Sequence, residues 1–434
     1  MLKSYITSGS LGVANDIWSF LSSKTAMGIF IAILLILTIG IVIIVVISLS
    51  LVKEHGGFMD ELLPKKKNKK TSRRAERFSM LNKLDEEYEK FQTPTYEKER
   101  NLSRICEDFR NFASYELGLY YDISDIRRFV AGFAVTRLLI LQGMSGTGKT
   151  SLAYAFGKFI DNDSVIVPVQ PMWKERSDII GYFNEFTKRF NETTFLRKIY
   201  EAGYKKEIYV TVLDEVNISR IEYYFAEFLS LLELPDENAR YLDVVSDVWP
   251  NDPKRLENGR IQLPPNMWFV GTANNDDSTF AISDKVYDRA MVLNLDKKCN
   301  PFKAPETKAE KISYERFSEL VREAKNTYSL SDKQLQNIRK LDEYLISRFQ
   351  ISFGNRIMKQ INEYVPVYIA CGGSEIDALD DIFSKKVLRK LEAQSPSYVR
   401  SELPALRSAI EDIFGANALP QCDSYMRHLS ESLA

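Results

Sequence analysis

Residues 143–150 read GMSGTGKT, and this stretch decides the fold. It matches the pattern G-x-x-x-x-G-K-[ST], follows the apolar run 138–141 (LLIL) and precedes a helical stretch over 151–159. Glycines allow backbone N–H groups to close around phosphate oxygens, and the start of a helix attracts an anion. The sequence therefore predicts a phosphate-binding loop between a buried strand and a helix.

This loop predicts ATP and Mg²⁺ as ligands. Lys149 is expected to reach the β- and γ-phosphate oxygens and so contribute to catalysis, while Thr150 is expected to ligate Mg²⁺. The backbone and the hydroxyl groups of the same loop are expected to surround the phosphates. The residues predicted to bind the nucleotide are Gly143, Ser145, Gly146, Thr147, Gly148, Lys149, Thr150 and Ser151.

Two carboxylates and an amide follow later buried strands. Asp214 and Glu215 come after the apolar run 209–213, and Asn274 ends the run that begins at residue 267. Ligands bind at the carboxyl ends of strands in parallel sheets. We expect Asp214 to hold Mg²⁺ through water, Glu215 to polarise the attacking water and Asn274 to contact the γ-phosphate or that water. Acidic pairs and asparagines are common at strand ends, so their order after the loop carries this interpretation.

Short apolar runs alternate with helical stretches through the middle of the chain. These runs are residues 138–141, 165–167, 209–213, 268–270 and 291–293. The alternation predicts a mostly parallel α/β sheet flanked by helices. After residue 303 the pattern becomes helical, over residues 314–328, 332–349, 355–370 and 376–391. We predict a nucleotide-binding α/β domain with leading helices over 98–302 and a helical lid domain over 303–434.

Residues 25–52 contain no charged side chain. As a helix they would reach about 42 Å, which exceeds the roughly 30 Å hydrocarbon core of a bilayer. A cleaved signal peptide is the alternative, but its apolar region usually has only about 7 to 15 residues. Lys53, the run 65–70 (KKKNKK), Arg73 and Arg74 follow the stretch, which places the C-terminal part in the cytoplasm by the positive-inside rule.

The resulting prediction is a single-pass protein of the cell membrane. Its parts are a short N-terminus outside the cytoplasm over 1–24, a transmembrane helix over 25–52 and a basic, charged cytoplasmic linker over 53–97. The formal net charge of −1 does not indicate nucleic acid as a partner. Four widely spaced cysteines and two histidines disfavour a zinc site, a disulfide framework and a histidine triad. Any catalysis is therefore expected to use carboxylates, lysine and arginine.

From about residue 122 to the C-terminus, the sequence resembles the AAA+ superfamily and, within it, the dynein-related, McrB-type branch. The resemblance lies in five ordered segments: GMSGTGKTSLA, VPVQPMWKERSDIIGYFN, VLDEVNISRIEYYFAEFLSLLE, GTANNDDSTFAISDKVYDRAMVL and FGNRIMKQINEYV. It implies that Asn274 is sensor 1, that Arg289 is an arginine finger reaching a neighbouring subunit's nucleotide, and that Arg356 is the sensor 2 arginine of the lid. The alternatives are a salt bridge of Arg289 with Asp284 or Asp288 and a helix-face charge for Arg356.

The resemblance also implies a homo-oligomer, expected to be a hexameric ring by family analogy, and a hairpin within residues 233–264 that is often directed at the ring's pore. The favoured function is an ATP-hydrolysing machine that moves or remodels an unknown protein partner at the cytoplasmic membrane face. The second function is the NTPase subunit of a McrB-like restriction or defence complex, acting with a separate nuclease or effector on nucleic acid. No methylcytosine-reading domain is visible, and the N-K-x-D match at residues 82–85 precedes the loop, so neither modified DNA nor GTP is predicted. A scaffold with little hydrolysis is disfavoured by the intact catalytic set.

Overall fold

The computed structural model describes residues 35–43, 76–274 and 279–433 of the 434-residue chain. The chain divides into two units, Met1–Arg73 and Arg74–Ala434. In the first unit the described residues, 35–43, form a helix with exposed side chains. The elements named below all belong to the second, larger unit.

The prediction of a single-pass membrane protein is wrong. Among the helices of the described ranges, none is both long and apolar enough to cross a bilayer. Within the predicted span the structure describes residues 35–43, which are helical. The rest of the span over 25–52, the predicted outer segment 1–24 and the lysine run lie outside the described residues. That prediction rested on the length of the uncharged stretch and on the basic residues that follow it.

Strands and helices of the larger unit are numbered in chain order. The strands are β1 Leu138–Gly143, β2 Val165–Pro168, β3 Gly181–Asn184, β4 Arg189–Glu192, β5 Tyr209–Asp214, β6 Tyr241–Asp243, β7 Leu256–Glu257, β8 Arg260–Gln262, β9 Met267–Asn274 and β10 Met291–Asn294. The helices up to the end of the sheet are α1 Met80–Tyr88, α2 Leu102–Leu117, α3 Ile123–Val135, α4 Lys149–Phe159, α5 Arg176–Ile180, α6 Thr194–Ala202, α7 Ile221–Tyr224, α8 Ala226–Leu231 and α9 Asp284–Tyr287. The helices that follow are α10 Tyr314–Thr327, α11 Asp332–Phe349, α12 Gly354–Ala370, α13 Glu375–Ile382, α14 Pro396–Phe414 and α15 Pro420–Ser432.

A parallel sheet with the strand order β10-β1-β9-β5-β2 forms the centre of this unit. Every predicted apolar run is one of its strands, so the predicted α/β core is confirmed. Alternate residues of a strand face opposite sides, and Trp268 and Phe269 in β9 belong to the two different hydrophobic clusters that cover the sheet. Helices α2, α3 and α4 and the later helices cover one face, while α6, α7 and α8 cover the other. Because all neighbours are parallel, the carboxyl ends of the strands share one edge.

The helical part after residue 303 follows the predicted pattern until residue 382. Helices α10, α11 and α12 have nearly the predicted bounds. The helix predicted over 376–391 ends earlier, because α13 passes into a π-helical turn at Phe383–Val387 and a 3₁₀ segment at Leu388–Ala393. The π turn contains two buried lysines, Lys385 and Lys386, whose side chains bond to Asp381 and to backbone carbonyls of the Tyr287–Ala290 turn.

Two antiparallel hairpin structures project from the sheet connections. Strands β3 and β4 form one, and β6, β8 and β7 form the other within the predicted hairpin region. The described part of the predicted linker, from residue 76, belongs to the same compact unit and contacts both structures. There Phe78 stacks on Phe190 with ring centres 4.9 Å apart.

Arg77 joins these pieces. Its side chain is 1% exposed, and its Nε and Nη2 donate to the two carboxylate oxygens of Asp252 at 2.7 and 2.6 Å. A further hydrogen bond of 2.7 Å reaches Asp247, and the guanidinium lies 4.7 Å from the ring centre of Trp249. The Asp252 side chain is itself only 6% exposed. The two charges therefore depend on each other for solvation.

Substitution Arg77→Ala is expected to lower the free energy of unfolding by about 3 kcal/mol, because it leaves the buried Asp252 carboxylate without its partner. Urea unfolding followed by tryptophan fluorescence measures this change. The control is Lys83→Ala, which breaks an exposed pair with Glu87 on α1 and should leave unfolding almost unchanged. Equal unfolding curves for the two variants would contradict the assigned role of Arg77.

Candidate active site

The loop between β1 and α4 is shaped by glycines that no other residue could replace. Gly143 has φ +142°, and a Cβ there would lie 2.3 Å from the backbone oxygen of Leu295. Gly148 has φ +93° and precedes α4, with Tyr121 donating a hydrogen bond to its carbonyl at 3.0 Å. Positive φ at these positions is open to glycine at little cost. The loop conformation predicted from the motif is therefore present.

Lys149 is held over this loop. Its ammonium donates to the carbonyl oxygens of Gly143 at 3.0 Å and Met144 at 2.8 Å, and the side chain is buried. The Thr147 hydroxyl also donates to the Met144 carbonyl, at 3.0 Å. The loop thus has a closed form in which a positive charge lies beside backbone N–H groups at the start of a helix, which suits a phosphate.

The predicted metal ligands lie together. The Thr150 hydroxyl donates to the Asp214 carboxylate at 2.6 Å, which brings the start of α4 against the end of β5. Hydroxyl and carboxylate oxygens are the ligands that Mg²⁺ prefers, and it commonly completes its shell with water and phosphate oxygens. These two residues therefore fit the ion that the sequence predicted.

Thr272 in β9 connects this pair to Glu215. Its hydroxyl donates to the same Asp214 oxygen at 2.8 Å and accepts the backbone N–H of Glu215 at 2.9 Å. Glu215 has φ +56°, a left-handed conformation that costs a non-glycine residue roughly 1–2 kcal/mol. Such backbone strain occurs at functional sites where the surroundings impose it. The Glu215 side chain is exposed at this turn.

Asn274 lies beside the loop, as predicted. In the register of β1 and β9 it is paired with Gly143. Asn217 donates from its side-chain amide to the Asn274 carbonyl at 2.8 Å and to the Thr279 hydroxyl at 3.0 Å. These bonds fix both ends of the segment that contains residues 275–278. The carboxyl edge of the sheet therefore brings together Gly143, Lys149, Thr150, Asp214, Glu215 and Asn274.

Arg289 and Arg356 lie at the opposite edge. Leu139 near the start of β1 pairs with Met291 at the start of β10, and Arg289 precedes Met291 by two residues. At about 3.3 Å per residue, the length of β1 separates that edge from the loop by about 17 Å. Arg356 bonds to Asp288 at 3.2 Å, so it lies beside Arg289. The structure does not bring Arg356 to the phosphate loop of its own chain, and its assignment as the sensor 2 arginine of the lid stays a prediction.

Glu233 binds both arginines. Its two carboxylate oxygens accept Arg289 at 2.6 Å and Arg356 at 2.8 Å. The hydrogen bond from Arg289 holds the pKa of the Glu233 carboxyl below its usual value, and the charge of Arg356 adds to this effect. Neither predicted alternative for Arg289 is observed, because Asp288 pairs with Arg356 and Asp284 pairs with Arg389.

A cavity of about 670 Å³ opens beside these arginines. Its lining has six cationic side chains and four acidic ones, Glu233, Glu237, Asp288 and Glu363, and three of these carboxylates pair with the arginines. The cationic side chains of the cavity therefore exceed the acidic ones by two. Its cationic lining residues are Arg137, Arg240, Arg289, Lys325, Arg356 and Lys359.

Thr272, Asn217 and Glu233 were not predicted as parts of a site. Thr272 is a polar residue inside an otherwise apolar strand, and Asn217 follows the acidic pair by two residues, so both had a local signal. Glu233 had none, because it meets Arg289 across 56 residues and Arg356 across 123.

Comparison with known proteins identifies the central part of the chain. Residues 138–290 match the family model described as AAA domain (dynein-related subfamily). No curated protein matches the sequence. One similar solved structure, named "putative ATPase", comes from Cytophaga hutchinsonii; it is 14% identical, has a TM-score of 0.44, and the match covers 76% of this chain and 94% of that chain. A full-length MCM homolog from Methanopyrus kandleri is 9% identical with a TM-score of 0.37, over 67% of this chain and 62% of that chain.

The matched residues are an AAA domain, and they contain the phosphate loop, the acidic pair, Asn274 and Arg289. The chain is an ATP-hydrolysing P-loop NTPase that contains an AAA domain over residues 138–290. This confirms the predicted core and enzyme class. AAA domains bind nucleotide, usually with Mg²⁺.

Substitution Thr272→Val is expected to lower kcat for ATP about 10- to 100-fold, because Glu215 and Asp214 both lose a partner that orients them and general-base steps contribute at least this much. Steady-state phosphate release measures kcat and KM. Thr211→Val is a matched control, since the Thr211 hydroxyl is buried in neighbouring β5 and has no hydrogen-bond partner in the described part of the chain. Equal kcat values for the two variants would show that the Thr272 hydroxyl does not orient the catalytic groups.

Proposed function

We propose that this protein is the motor subunit of a ring, hexameric by analogy with the AAA+ family, in which ATP hydrolysis moves or remodels a partner macromolecule. One observation carries the proposal: Arg289 and Arg356 share a cationic cavity about 17 Å from their own chain's phosphate loop. An arginine so placed can act on a nucleotide only if that nucleotide belongs to another subunit. Head-to-tail contacts of this kind generate closed rings when the rotation between subunits closes.

Within one subunit, the carboxyl edge of the sheet performs the binding and the proton transfer. The loop N–H groups and the Lys149 ammonium bind the β- and γ-phosphate oxygens of ATP. Mg²⁺, when bound by Thr150 and Asp214, supplies neutralisation of phosphate charge. Glu215 accepts a proton from a water whose oxygen attacks the γ-phosphorus, and the bond to the β–γ bridging oxygen breaks to release ADP. Asn274, beside Gly143, orients that water.

The neighbouring subunit supplies the arginines. In the single chain Glu233 neutralises Arg289 and Arg356, so the γ-phosphate of a neighbour must compete with this carboxylate. A phosphate carries more negative charge and more acceptor oxygens than one carboxylate, which favours the exchange on assembly. Arginines placed in this way stabilise the charge of the transition state and are worth about 10³ to 10⁵ in rate in GTPases. Arg356 therefore acts with Arg289, toward the neighbour.

The hairpin structures connect the catalytic core to the partner. The turn between β3 and β4 carries Phe186, whose side chain is 98% exposed. Separately, Asn217, in the turn that follows Asp214 and Glu215, binds Asn274 and Thr279. An exposed aromatic ring on a short hairpin offers apolar area at low conformational cost. Arg77 links the loop of β6–β8 to the base of this hairpin. Motion of either hairpin is thereby transmitted to the other.

Glu215→Gln is expected to bind ATP with nearly unchanged affinity and to lose about 100-fold or more in kcat, because an amide cannot accept the proton of the attacking water. Lys149→Ala is the contrasting variant and is expected to lose tight binding, since it removes the charge that contacts the phosphates. Titration with a fluorescent ATP analogue and phosphate release separate the two effects. Wild-type turnover by Glu215→Gln would sink the role given to Glu215.

A ring with arginines acting between subunits predicts that turnover per subunit rises with protein concentration. Arg289→Ala and Lys149→Ala should each be nearly inactive, whereas an equal mixture should recover activity. Random mixing places an intact loop beside an intact Arg289 at about one interface in four. Arg316→Ala is the control, because Arg316 pairs with Glu319 and Glu323 on the surface of α10. Full activity of Arg289→Ala, or no recovery in the mixture, contradicts the shared site.

Hydrolysis with and without DNA identifies the partner class: strong stimulation by DNA would point to a restriction-like assembly instead.

A further inference from the structure

Lys386 is a buried lysine that the proposed reaction does not use. It lies in the π-helical turn Phe383–Val387, and its ammonium donates to the backbone carbonyls of Tyr287 and Ala290. Tyr287 lies two residues before Arg289, and Ala290 lies one residue after it. π-Helical turns within helices are frequently found at functional sites. The side chain thus crosses from the lid helices to the turn that carries the arginine.

Burial of the charged Lys386 ammonium carries a desolvation free energy. Within the described residues it forms no ion pair, and its neighbours include one favourable charge, Asp288, and two unfavourable ones, Arg389 and Arg356. Burial is the main cause that lowers the pKa of the Lys386 amine to about 7. An apolar residue of similar length would fill this volume without the desolvation penalty, which for buried ions amounts to several kcal/mol. Packing alone gives no reason for a lysine at this position.

The Arg289 turn has its own backbone hydrogen bonds, including those from the N–H groups of Arg289 and Ala290 to the Val286 carbonyl at 3.0 Å, and side chains of the later helices bind its free carbonyls. Lys386 donates hydrogen bonds to the carbonyls of Tyr287 and Ala290, and Gln360 in α12 donates to the carbonyl of Asp288 at 3.1 Å. Arg389 lies 3.4 Å from the ring centre of Tyr287. These contacts act together with the bond from Arg289 Nη1 to the Lys285 carbonyl at 3.0 Å to hold the turn from which Arg289 projects.

We propose that Lys386 is a positioning residue for Arg289: it holds the Tyr287–Ala290 turn so that the Arg289 guanidinium is presented to the nucleotide of the next subunit. The assignment deepens the proposed function and rests on it. A group that must reach a phosphate across an interface tolerates little displacement, and a misplacement of about 1 Å can cost about 100-fold in rate. Two bonds to the carbonyls on either side of Arg289 restrict both rotation and translation of the turn.

The test uses the complementing mixture of full-length subunits. The Lys149→Ala subunit is called the donor, because it supplies Arg289 to its neighbour but cannot bind nucleotide tightly. The Arg289→Ala subunit is called the acceptor, because it binds ATP but lacks the arginine. Lys386→Met is added to one subunit at a time. On the donor it is expected to lower the recovered kcat about 10- to 100-fold with KM for ATP nearly unchanged. On the acceptor, whose turn no longer carries an arginine, it should have no effect.

Two further variants complete the test. Lys390→Met on the donor is the matched control, since Lys390 also donates to a backbone carbonyl, that of Ser352, away from the Arg289 turn. Lys386→Gln removes the buried charge but keeps an amide donor, so it should fold at least as stably as the wild type and give an intermediate donor activity. Thermal unfolding verifies that each variant is folded.

The outcomes separate the two levels of the proposal. An equal loss from donor and acceptor assigns Lys386 to general stability and overturns its positioning role. Donor activity of Lys386→Gln equal to that of Lys390→Met also overturns it. Absence of recovery in the parent mixture, before Lys386 is changed, refutes the shared site itself and the positioning role with it.

Discussion

The contact between the Thr150 hydroxyl and the Asp214 carboxylate is the constraint on which the site depends. It requires the first turn of α4 to meet the end of β5, although β9 lies between β1 and β5 in the sheet. The intervening strand then contributes Thr272 to the contact and places Asn274 beside Gly143. Strand order, loop closure and the left-handed Glu215 are therefore parts of one arrangement, and a shift of any strand by one residue would turn these polar groups into the core.

The parallel direction of the strands has a second consequence. It collects the nucleotide-binding groups at the carboxyl edge and leaves Arg289 at the amino edge, so that one rigid sheet separates two halves of the chemistry by about 17 Å. No movement of a side chain closes such a gap, since an extended arginine reaches less than half that distance. Glu233 pairs with both arginines in the single chain. Its carboxylate therefore supplies their counter-charge at the amino edge of the sheet.

Sequence reasoning succeeded where the signal is local. The phosphate loop, the apolar strands and the acidic pair each depend on a few consecutive residues, and the structure places them as predicted. It failed where partners are distant: Glu233 with Arg356, Arg77 with Asp252 and Lys386 with the Tyr287 carbonyl join residues that share no pattern. The position of Arg356 could not be predicted, because a motif gives the order of elements along the chain and not the edge of the sheet that a lid helix covers. The membrane prediction failed because an uncharged stretch of sufficient length does not by itself establish a continuous helix, and no helix of the described residues is long and apolar enough to span a bilayer.

Two buried cations, Arg77 and Lys386, lie where separate elements must keep a fixed relation. Arg77 holds the loop of one hairpin structure to the base of the other, and Lys386 holds the Arg289 turn to the lid helices. An apolar residue at either position would avoid the desolvation penalty, which for a buried charge is several kcal/mol before its hydrogen bonds are counted. An apolar contact, however, permits sliding, because dispersion has little directional preference, whereas bonds to two defined oxygens permit one arrangement. Elements joined in this way keep one relative arrangement, so the segment that contains Lys386 and the Arg289 turn are held to each other.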